Sequence, residues 1–235
     1  MPLENLLEVA ENCLIKLLPK GERVKLLAKG ELVELVLSKT LCEPYTETRH
    51  VYFPIDGFVS LITLLNGHPG LEVGMVGREG VLGAQVALGV FQSPVRALVQ
   101  GAGSAWRFDS HIFARELKAS LALSTIINRY LYVRMSQLAG AAACLRYHMI
   151  SPRLARWLLM SQDRAHADSF YVTHEFLAYM LGVRRVGVTT AAGDLQRRGL
   201  IEYHRGHLTV LNRRGLENAA CSCYASDQFA YHEML

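Results

Sequence analysis

The chain has 235 residues, of which 51% are hydrophobic and 20% are charged, so it can fold around a sizeable core in one or two domains. This composition excludes a disordered chain, and a formal net charge of only +4 excludes a long basic surface that coats nucleic acid without sequence preference. No apolar run is long enough to span a bilayer and the N-terminus lacks a signal-peptide layout, so we expect a cytoplasmic protein with no membrane partner.

The first half of the chain is predicted to be a strand-rich domain that follows one or two helices. Apolar residues recur at helical spacing from Leu3 to Leu18, and a second short helix is predicted at 22–27. Strands separated by turn residues are then predicted at 32–37, 51–54, 57–65 and 71–76. Short strands that recur about every ten residues are typical of an antiparallel barrel or roll.

A glycine-rich segment at 73–84 follows these strands. Its backbone amides are suited either to cradling a phosphate or to forming tight corners of the roll. The segment has neither a GxGxxG motif nor a terminal Lys-Ser/Thr pair, so the corner interpretation is favoured and no Walker-type nucleotide site is predicted.

Two helices are predicted in the middle of the chain, a short one at 110–118 and a long one at 121–147. The long helix has an apolar stripe at near-heptad spacing, although Arg134 falls on it. The stripe consists of Ile127, Leu131, Leu138, Ala141 or Ala142, and Leu145. Such a helix is suited to pairing with its own copy about a two-fold axis, and the alternative is that it packs against the chain's own roll. A further helix is predicted at 153–164, which makes 147–151 a candidate hinge.

Residues 173–195 are predicted to form a helix-turn-helix, because apolar residues recur at helical spacing on both sides of Gly182. Thr173 is suited to capping the first helix, and Val188, Ala192 and Leu195 form a buried stripe on the second. The residues predicted to face the major groove of DNA are Arg184, Arg185, Val186, Thr189 and Thr190. The alternative is a helical hairpin of an all-α domain whose arginines are merely solvated.

A strand, a tight turn and a second strand are predicted at 201–211, directly after the helix-turn-helix. A hairpin in this position makes a winged helix, whose wing usually contacts the DNA backbone. Between residues 173 and 214 the chain has seven arginines and three acidic residues, which suits a modest phosphate footprint. The further predicted DNA-contact residues are Thr173, Arg197, Arg205 and His207.

The order of these parts resembles the Crp/Fnr family of bacterial transcription regulators from about residue 14 to residue 217. The resemblance rests on the segments HVYFPIDGFVSLITLL, EVGMVGREGVLG, SPRLARWLLM and THEFLAYMLGVRRVGVTTAAGDLQRRGLIEYHRGHLTVLNRRGLE. It implies an α+β fold with an N-terminal antiparallel β-roll similar to cyclic-nucleotide-binding domains, a long dimerisation helix and a C-terminal winged helix-turn-helix. It also implies a homodimer that binds double-stranded promoter DNA, with RNA polymerase as a further partner.

The resemblance suggests a division into three parts and a set of base-reading positions. The parts are a sensor domain at 1–118, a dimerisation helix with hinge at 119–150, and a DNA-binding domain at 151–235. The family's first base-reading arginine matches Arg185, its following glutamate matches Val186, and its second arginine matches Thr190. Since two of these three positions differ, we expect an operator that is more tolerant of thymine at the centre of each half-site.

The sensor half departs further from members of the family that bind cyclic AMP. Their Gly-Glu pair for the ribose matches Gly83-Ala84, and their Arg-Ser pair for the phosphate matches Pro94-Val95. Arg96 is nearby in the sequence but does not stand at the position of the family's arginine. A cyclic nucleotide would therefore lose charge-assisted contacts of about 1.5 to 3 kcal/mol each. These five residues define a candidate effector pocket for an effector that the sequence does not identify.

No cofactor or metal is predicted from the sequence. The oxygen-sensing members of the family hold an iron-sulfur cluster with closely spaced N-terminal cysteines, but only Cys13 is available here. A haem is the other cofactor considered, and its iron would have to be bound by His50 or His68. Cys221 and Cys223 are the only close pair among five cysteines. Because no histidine or third cysteine lies at zinc-ligand spacing along the chain, structural thiols are favoured over a metal site or a redox switch.

Three classes of function remain to be compared. The sequence has no HExxH, GxSxG or Cys/His catalytic signature, so an enzyme is not expected and no catalytic residue is proposed. A DNA-binding regulator is favoured. The alternative is an effector-binding regulatory module, for haem or another small ligand, in which the winged helix contacts proteins instead of DNA.

Overall fold

The computed structural model describes residues 12–67, 70–165 and 167–235, and it begins with an antiparallel β-roll. The strands of the roll are β1 (Glu31–Leu35), β2 (Thr40–Cys42), β3 (His50–Pro54), β4 (Phe58–Thr63), β5 (Leu71–Val76), β6 (Arg96–Gly101) and β7 (Gly103–Asp109). They form two sheets, ordered β1-β7-β3 and β2-β6-β4-β5, with antiparallel pairing throughout. The structure therefore confirms the predicted roll.

Helices flank the roll and lead away from it. They are α1 (Cys13–Lys16), α2 (Lys20–Leu27), a 3-10 helix (Ala84–Leu88), α3 (Ser110–Ala119), α4 (Leu121–Tyr147) and α5 (Ile150–Ala165). Most of the helix predicted at 3–18 lies outside the described residues. No helix among the residues that the structure describes combines the length and the apolar character needed to cross a bilayer.

The break between α4 and α5 is shorter than predicted. The hinge expected at 147–151 contracts to His148 and Met149, because α5 already begins at Ile150. Pro152 lies within the first turn of α5, where a backbone N–H has no helical partner to lose, so it does not delay the start of the helix.

One face of the long helix α4 packs on the chain's own roll. Leu123, Ile127 and Tyr130 are buried in the core that contains Phe53 and Phe108 of the sheet β1-β7-β3. These positions follow the spacing i, i+4, i+7, which is one face of an α-helix. The alternative of packing against the roll is thus correct for the N-terminal half of α4.

The predicted stripe is buried near the start of α4 and exposed towards its C-terminal end. Ile127 is buried, but Leu138 and Leu145 are exposed. Arg134, which appeared to interrupt the stripe, points to the roll, where its guanidinium donates to the Met75 carbonyl at 3.1 Å. Leu138 and Leu145 lie on the same side of the helix as Ile127 but further along it, where they line a cavity with Glu72 and Trp157.

The C-terminal part is a small α/β module. Its elements are β8 (Ser169–Tyr171), α6 (His174–Leu181), α7 (Arg185–Arg197), β9 (Ile201–His204), β10 (His207–Val210), α8 (Arg213–Ala219) and α9 (Cys223–Met234). The three strands form one antiparallel sheet in the order β8-β10-β9. Helix α9 turns back and packs on the long helix α4.

The roll and the C-terminal module share a hydrophobic core. Ile62 and Met75 of the roll belong to the same buried cluster as Leu154 and Trp157 of α5. At its edge the Trp157 indole N–H donates to Glu72 Oε1 at 2.9 Å. Burial raises the pKa of Glu72 to about 7, although hydrogen bonds from the Ser60 hydroxyl and the Trp157 indole act to lower it.

The raised pKa of Glu72 predicts a pH-dependent stability. The folded chain holds this proton more tightly than the unfolded chain, so the free energy of unfolding should fall as the pH rises from about 4.5 to about 7. Glu72→Gln removes this ionisation and keeps an oxygen acceptor for Trp157. We expect the variant to match the wild type near pH 4.5 and to be more stable above pH 7, as measured by urea denaturation across this range.

The control for Glu72→Gln is Glu34→Gln, which changes an exposed side chain on β1. This control should leave the pH profile of the wild type unchanged. Parallel profiles for Glu72→Gln and the wild type would contradict the assignment of the ionisation to Glu72.

Candidate nucleic-acid interface

The helix-turn-helix is formed by α6 and α7 as predicted. The Thr173 hydroxyl caps α6 by accepting a hydrogen bond from the Phe176 backbone N–H at 3.1 Å. Gly182 ends α6 with φ of 62°, in the left-handed region that favours glycine. A side chain at Gly182 would collide with Leu71 of the roll, so the turn also approaches the N-terminal half closely.

The buried and exposed faces of α7 are those that the sequence predicts. Its apolar stripe, Val188, Ala192 and Leu195, is buried in the core of the C-terminal module. The predicted groove-facing residues are all exposed, namely Arg184, Arg185, Val186, Thr189 and Thr190. Among them Val186 is an apolar side chain with 68% of its surface accessible, so packing of the core does not account for its presence.

The two threonines of this face have their hydroxyls engaged with the helix itself. Thr189 Oγ1 donates to the Arg185 carbonyl at 3.1 Å, and Thr190 Oγ1 donates to the Val186 carbonyl at 3.0 Å. Such bonds to the carbonyl four residues earlier occupy the hydroxyl. The methyl groups of Thr190 and Val186 then offer apolar contacts of the kind that fit a thymine methyl.

A side chain that sequence reasoning missed links both helices to the wing. His174, the first residue of α6, stacks on Tyr203 of β9 with ring centroids 4.4 Å apart, and its Nδ1 lies 3.1 Å from Thr189 Oγ1. Partial burial, and then the charge of Arg185, lower the pKa of His174. The histidine therefore favours its neutral form and supports the exposed face of α7 from behind. No short-range sequence signal marks this contact, because His174 and its two partners lie on three different elements.

The wing is the hairpin of β9 and β10. Its turn holds Arg205 at φ of 47° and Gly206 at φ of 87°, the pair of left-handed residues that a tight two-residue hairpin requires. A side chain at Gly206 would collide with the ring of Tyr171 on β8. Arg205 and His207 are exposed at or beside the tip, where the sequence predicts phosphate contacts.

Some arginines of this surface form ion pairs and others do not. Asp194 lies 3.3 Å from the Arg197 guanidinium and 3.6 Å from that of Arg198, at the C-terminal end of α7. Between residues 12 and 235, within the described ranges, no carboxylate forms a salt bridge with Arg184 or Arg185. Uncompensated positive charge is thus concentrated at the N-terminal end of α7, the end that meets base edges in helix-turn-helix proteins.

The predicted effector pocket is only partly assembled in the roll. Gly83 lines a cavity together with Thr48, His50, Tyr52 and other residues of the roll. Ala84 is instead buried in the core beneath it. Pro94 and Val95 bring no charge, and in the described chain neither they nor Arg96 line this cavity.

The charges near this cavity are already paired. Arg96 lies 3.0 Å from Glu43, and the exposed Arg49 lies 3.5 Å from Glu47. His50 is one of the two candidate haem ligands. Its pKa is lowered by partial burial and, next in size, by the charge of Arg107. His68 lies outside the described residues. The cavity therefore presents no unpaired arginine for a cyclic phosphate.

The glycine-rich segment of the roll also has a structural role. Gly83 begins the 3-10 helix with φ of 92°, so it forms a tight corner. A side chain at Gly74 would occupy the space of the Arg134 guanidinium from α4. These positions support the corner interpretation over a phosphate cradle.

The structure thus combines an antiparallel β-roll, a long helix and a winged helix whose second helix, α7, has an exposed face. Comparisons with known proteins agree. Residues 152–219 match the family model of the Crp-like helix-turn-helix domain, and the resemblance to Crp/Fnr regulators is confirmed. Comparison with curated proteins gives no match.

Solved structures with this fold cover most of the chain. FixK2 from Bradyrhizobium japonicum has a TM-score of 0.69 at 14% identity, over 82% of this chain and 98% of its own. A putative Crp/Fnr-family transcriptional regulator from Eubacterium rectale has a TM-score of 0.67 at 17% identity, over 88% and 97%. A CRP-family regulator from Thermus thermophilus has a TM-score of 0.66 at 21% identity, over 80% and 96%. At these identities the similarity establishes the shared fold.

Proposed function

We propose that the protein is a dimeric, sequence-specific DNA-binding transcription regulator of the Crp/Fnr type. The observation that carries this proposal is the exposed face of α7. Arg184, Arg185 and Val186 are exposed there without any role in the core, while Val188 and Leu195 hold the helix to the module. Promoter DNA is the partner that such a face fits, because arginine can bridge guanine O6 and N7 in the major groove.

The proposed dimer uses the outer face of α4. This face exposes Tyr132 (56% accessible) and Met135 (68%). Large apolar side chains that are exposed on the outer side of a helix suit a second copy of the same helix. Gly140 adds a point of close approach, since nothing lies within 4 Å of the place where its side chain would be.

The proposed regulator does not bind cyclic AMP in the usual way. Ala84 and Pro94 replace charged or polar contacts, and Arg96 is committed to Glu43. We propose that the roll takes another small effector in the cavity beside Gly83. RNA polymerase is a further proposed partner, and we propose a cytoplasmic, non-catalytic role.

The experiment for this proposal is a selection of bound fragments from genomic or random DNA by the purified full-length chain. We expect an enriched motif with inverted-repeat symmetry, since a two-fold dimer reads two identical half-sites. Enrichment without any shared motif, or no enrichment above a mock selection, would contradict the proposal.

A further inference from the structure

Four side chains of metal-ligand type converge where the long helix ends. Cys144 lies on the last turns of α4, and His148 follows at its C-terminal cap. Cys221 and Cys223 lie at the start of α9, more than 70 residues further along the chain. The Sγ atoms of Cys144 and Cys221 are 3.6 Å apart, and Cys223 Sγ is 3.5 Å from His148 Nδ1. The four ligand atoms all lie within 4.8 Å of one another.

These separations fit the edges of a zinc tetrahedron. With typical bonds of about 2.3 Å to sulfur and about 2.05 Å to nitrogen, tetrahedral geometry places two sulfurs about 3.8 Å apart and a sulfur and a nitrogen about 3.6 Å apart. The observed 3.6 Å and 3.5 Å are within a few tenths of an ångström of these values. The other separations among the four ligand atoms are at most 4.8 Å, so closing a tetrahedron around one ion requires shifts of about an ångström or less.

The pattern of ligands along the chain is also suited to one ion. Cys144 and His148 are four residues apart, which places them on the same side of the helix end. Cys221 and Cys223 flank a single residue at a turn. The thiols are not joined by a disulfide, since all five cysteines are free. Three thiolates and one imidazole around a single point form a Cys3His donor set, which is typical of structural zinc.

The surroundings of the cluster favour a bound zinc ion with negatively charged ligands. Cys144 and Cys221 are buried, while His148 and Cys223 are half-buried, so the ion has a route from solvent. Zinc with three thiolates carries about one net negative charge. The Arg156 guanidinium lies 3.8 Å from Cys144 Sγ and offsets that charge from outside the ligand shell.

Other contacts hold the two ligand pairs in place independently of an ion. The Arg156 guanidinium forms a salt bridge with Asp227 of α9 at 2.6 Å. The backbone N–H of Cys221 donates to the Pro152 carbonyl at 3.3 Å. These bonds fix the start of α9 against α5, so the four ligands are brought together by the fold.

We propose that Cys144, His148, Cys221 and Cys223 bind one zinc ion. The ion fastens the C-terminal end of the long helix to the segment that follows the winged helix. It therefore holds the DNA-binding module in a fixed orientation relative to the helix that carries the proposed dimer interface. Zinc binding does not depend on the proposed function, because its stoichiometry is measured without DNA.

The test is the zinc content of the untagged full-length chain, measured by inductively coupled plasma mass spectrometry after dialysis. We expect about one zinc ion per chain, as in other structural sites. Cys144→Ser and Cys221→Ser should each lower that content at least about ten-fold, because the remaining ligands cannot close a tetrahedron. Cys42→Ser, a cysteine in the roll far from the cluster, should retain the zinc of the wild type.

A second measurement uses the wild type alone, so it tests the proposal even where the serine variants fail to fold. Cobalt(II) added to the metal-free wild type should give the intense visible absorption of a tetrahedral thiolate site at one equivalent per chain. A wild type without bound zinc and without this spectrum would overturn the proposal. So would a Cys144–Cys221 disulfide in the freshly purified chain, or folded Cys144→Ser that keeps its zinc.

Discussion

Arg185→Ala should weaken binding to the selected operator by about 5- to 150-fold for each half-site. A bidentate arginine-guanine contact contributes about 1 to 3 kcal/mol of base discrimination. Arg185 is the first residue of α7, exposed and without a salt bridge among the described residues, so its removal leaves the core of the module intact. The loss should be confined to one base position of the half-site, which becomes tolerant of substitution. Fluorescence anisotropy on labelled operator duplexes, with each base varied in turn, measures both effects.

The matched control is Arg49→Ala, which removes the same charge from an exposed position on the roll. It should change operator affinity by no more than the small uniform effect of one distant charge. Equal affinities for the two variants, or an unchanged base preference in Arg185→Ala, would show that Arg185 is not a base reader. His174→Ala offers a further comparison, because it removes support for Thr189 without removing a charge from the groove-facing surface.

Met135→Glu should convert the proposed dimer to monomers. Met135 is 68% accessible, so the substitution costs the isolated chain little, whereas the dimer would have to bury an unpaired carboxylate from each copy. A penalty of roughly 3 kcal/mol raises the dissociation constant of the dimer about 100-fold. Sedimentation equilibrium should then give the mass of one chain at concentrations where the wild type is dimeric. Operator binding should weaken in parallel, because a monomer reads only one half-site.

Leu88→Glu is the control for Met135→Glu. Leu88 is 65% accessible on the 3-10 helix of the roll, so the same chemical change is made at a comparable exposure away from the outer face of α4. This variant should remain dimeric. A dimer that persists in Met135→Glu, with circular dichroism identical to the wild type, would exclude the outer face of α4 as the interface.

The helix-turn-helix could be predicted from the sequence because local rules determine it. Gly182 marks the turn, Thr173 caps the first helix, and a spacing of about 3.6 residues assigns Val188 to the core and Val186 to the surface. Burial in the structure follows this assignment. Four strands of the roll, β1, β3, β4 and β5, could be predicted within about two residues for the same reason, since turn residues bound each one, whereas β2, β6 and β7 were not predicted.

Features that depend on distant parts of the chain could not be predicted. Spacing places Ile127 and Leu138 on one side of α4, but it cannot tell where along that side the roll ends, so the burial of Ile127 and the exposure of Leu138 could not be predicted. The sequence argument against a metal compared Cys221 and Cys223 only with their neighbours along the chain. Folding places Cys144 beside them, because α9 returns to the long helix.

The most direct test of the central claim is a hydroxyl-radical footprint of the wild type on its selected operator. Two copies that place α7 in successive major grooves should protect two symmetric segments whose centres lie about 10 base pairs apart. Arg185→Ala should lose both protected segments at the same protein concentration. A single asymmetric footprint, or a symmetric one that Arg185→Ala leaves intact, would contradict the claim that paired recognition helices read the DNA.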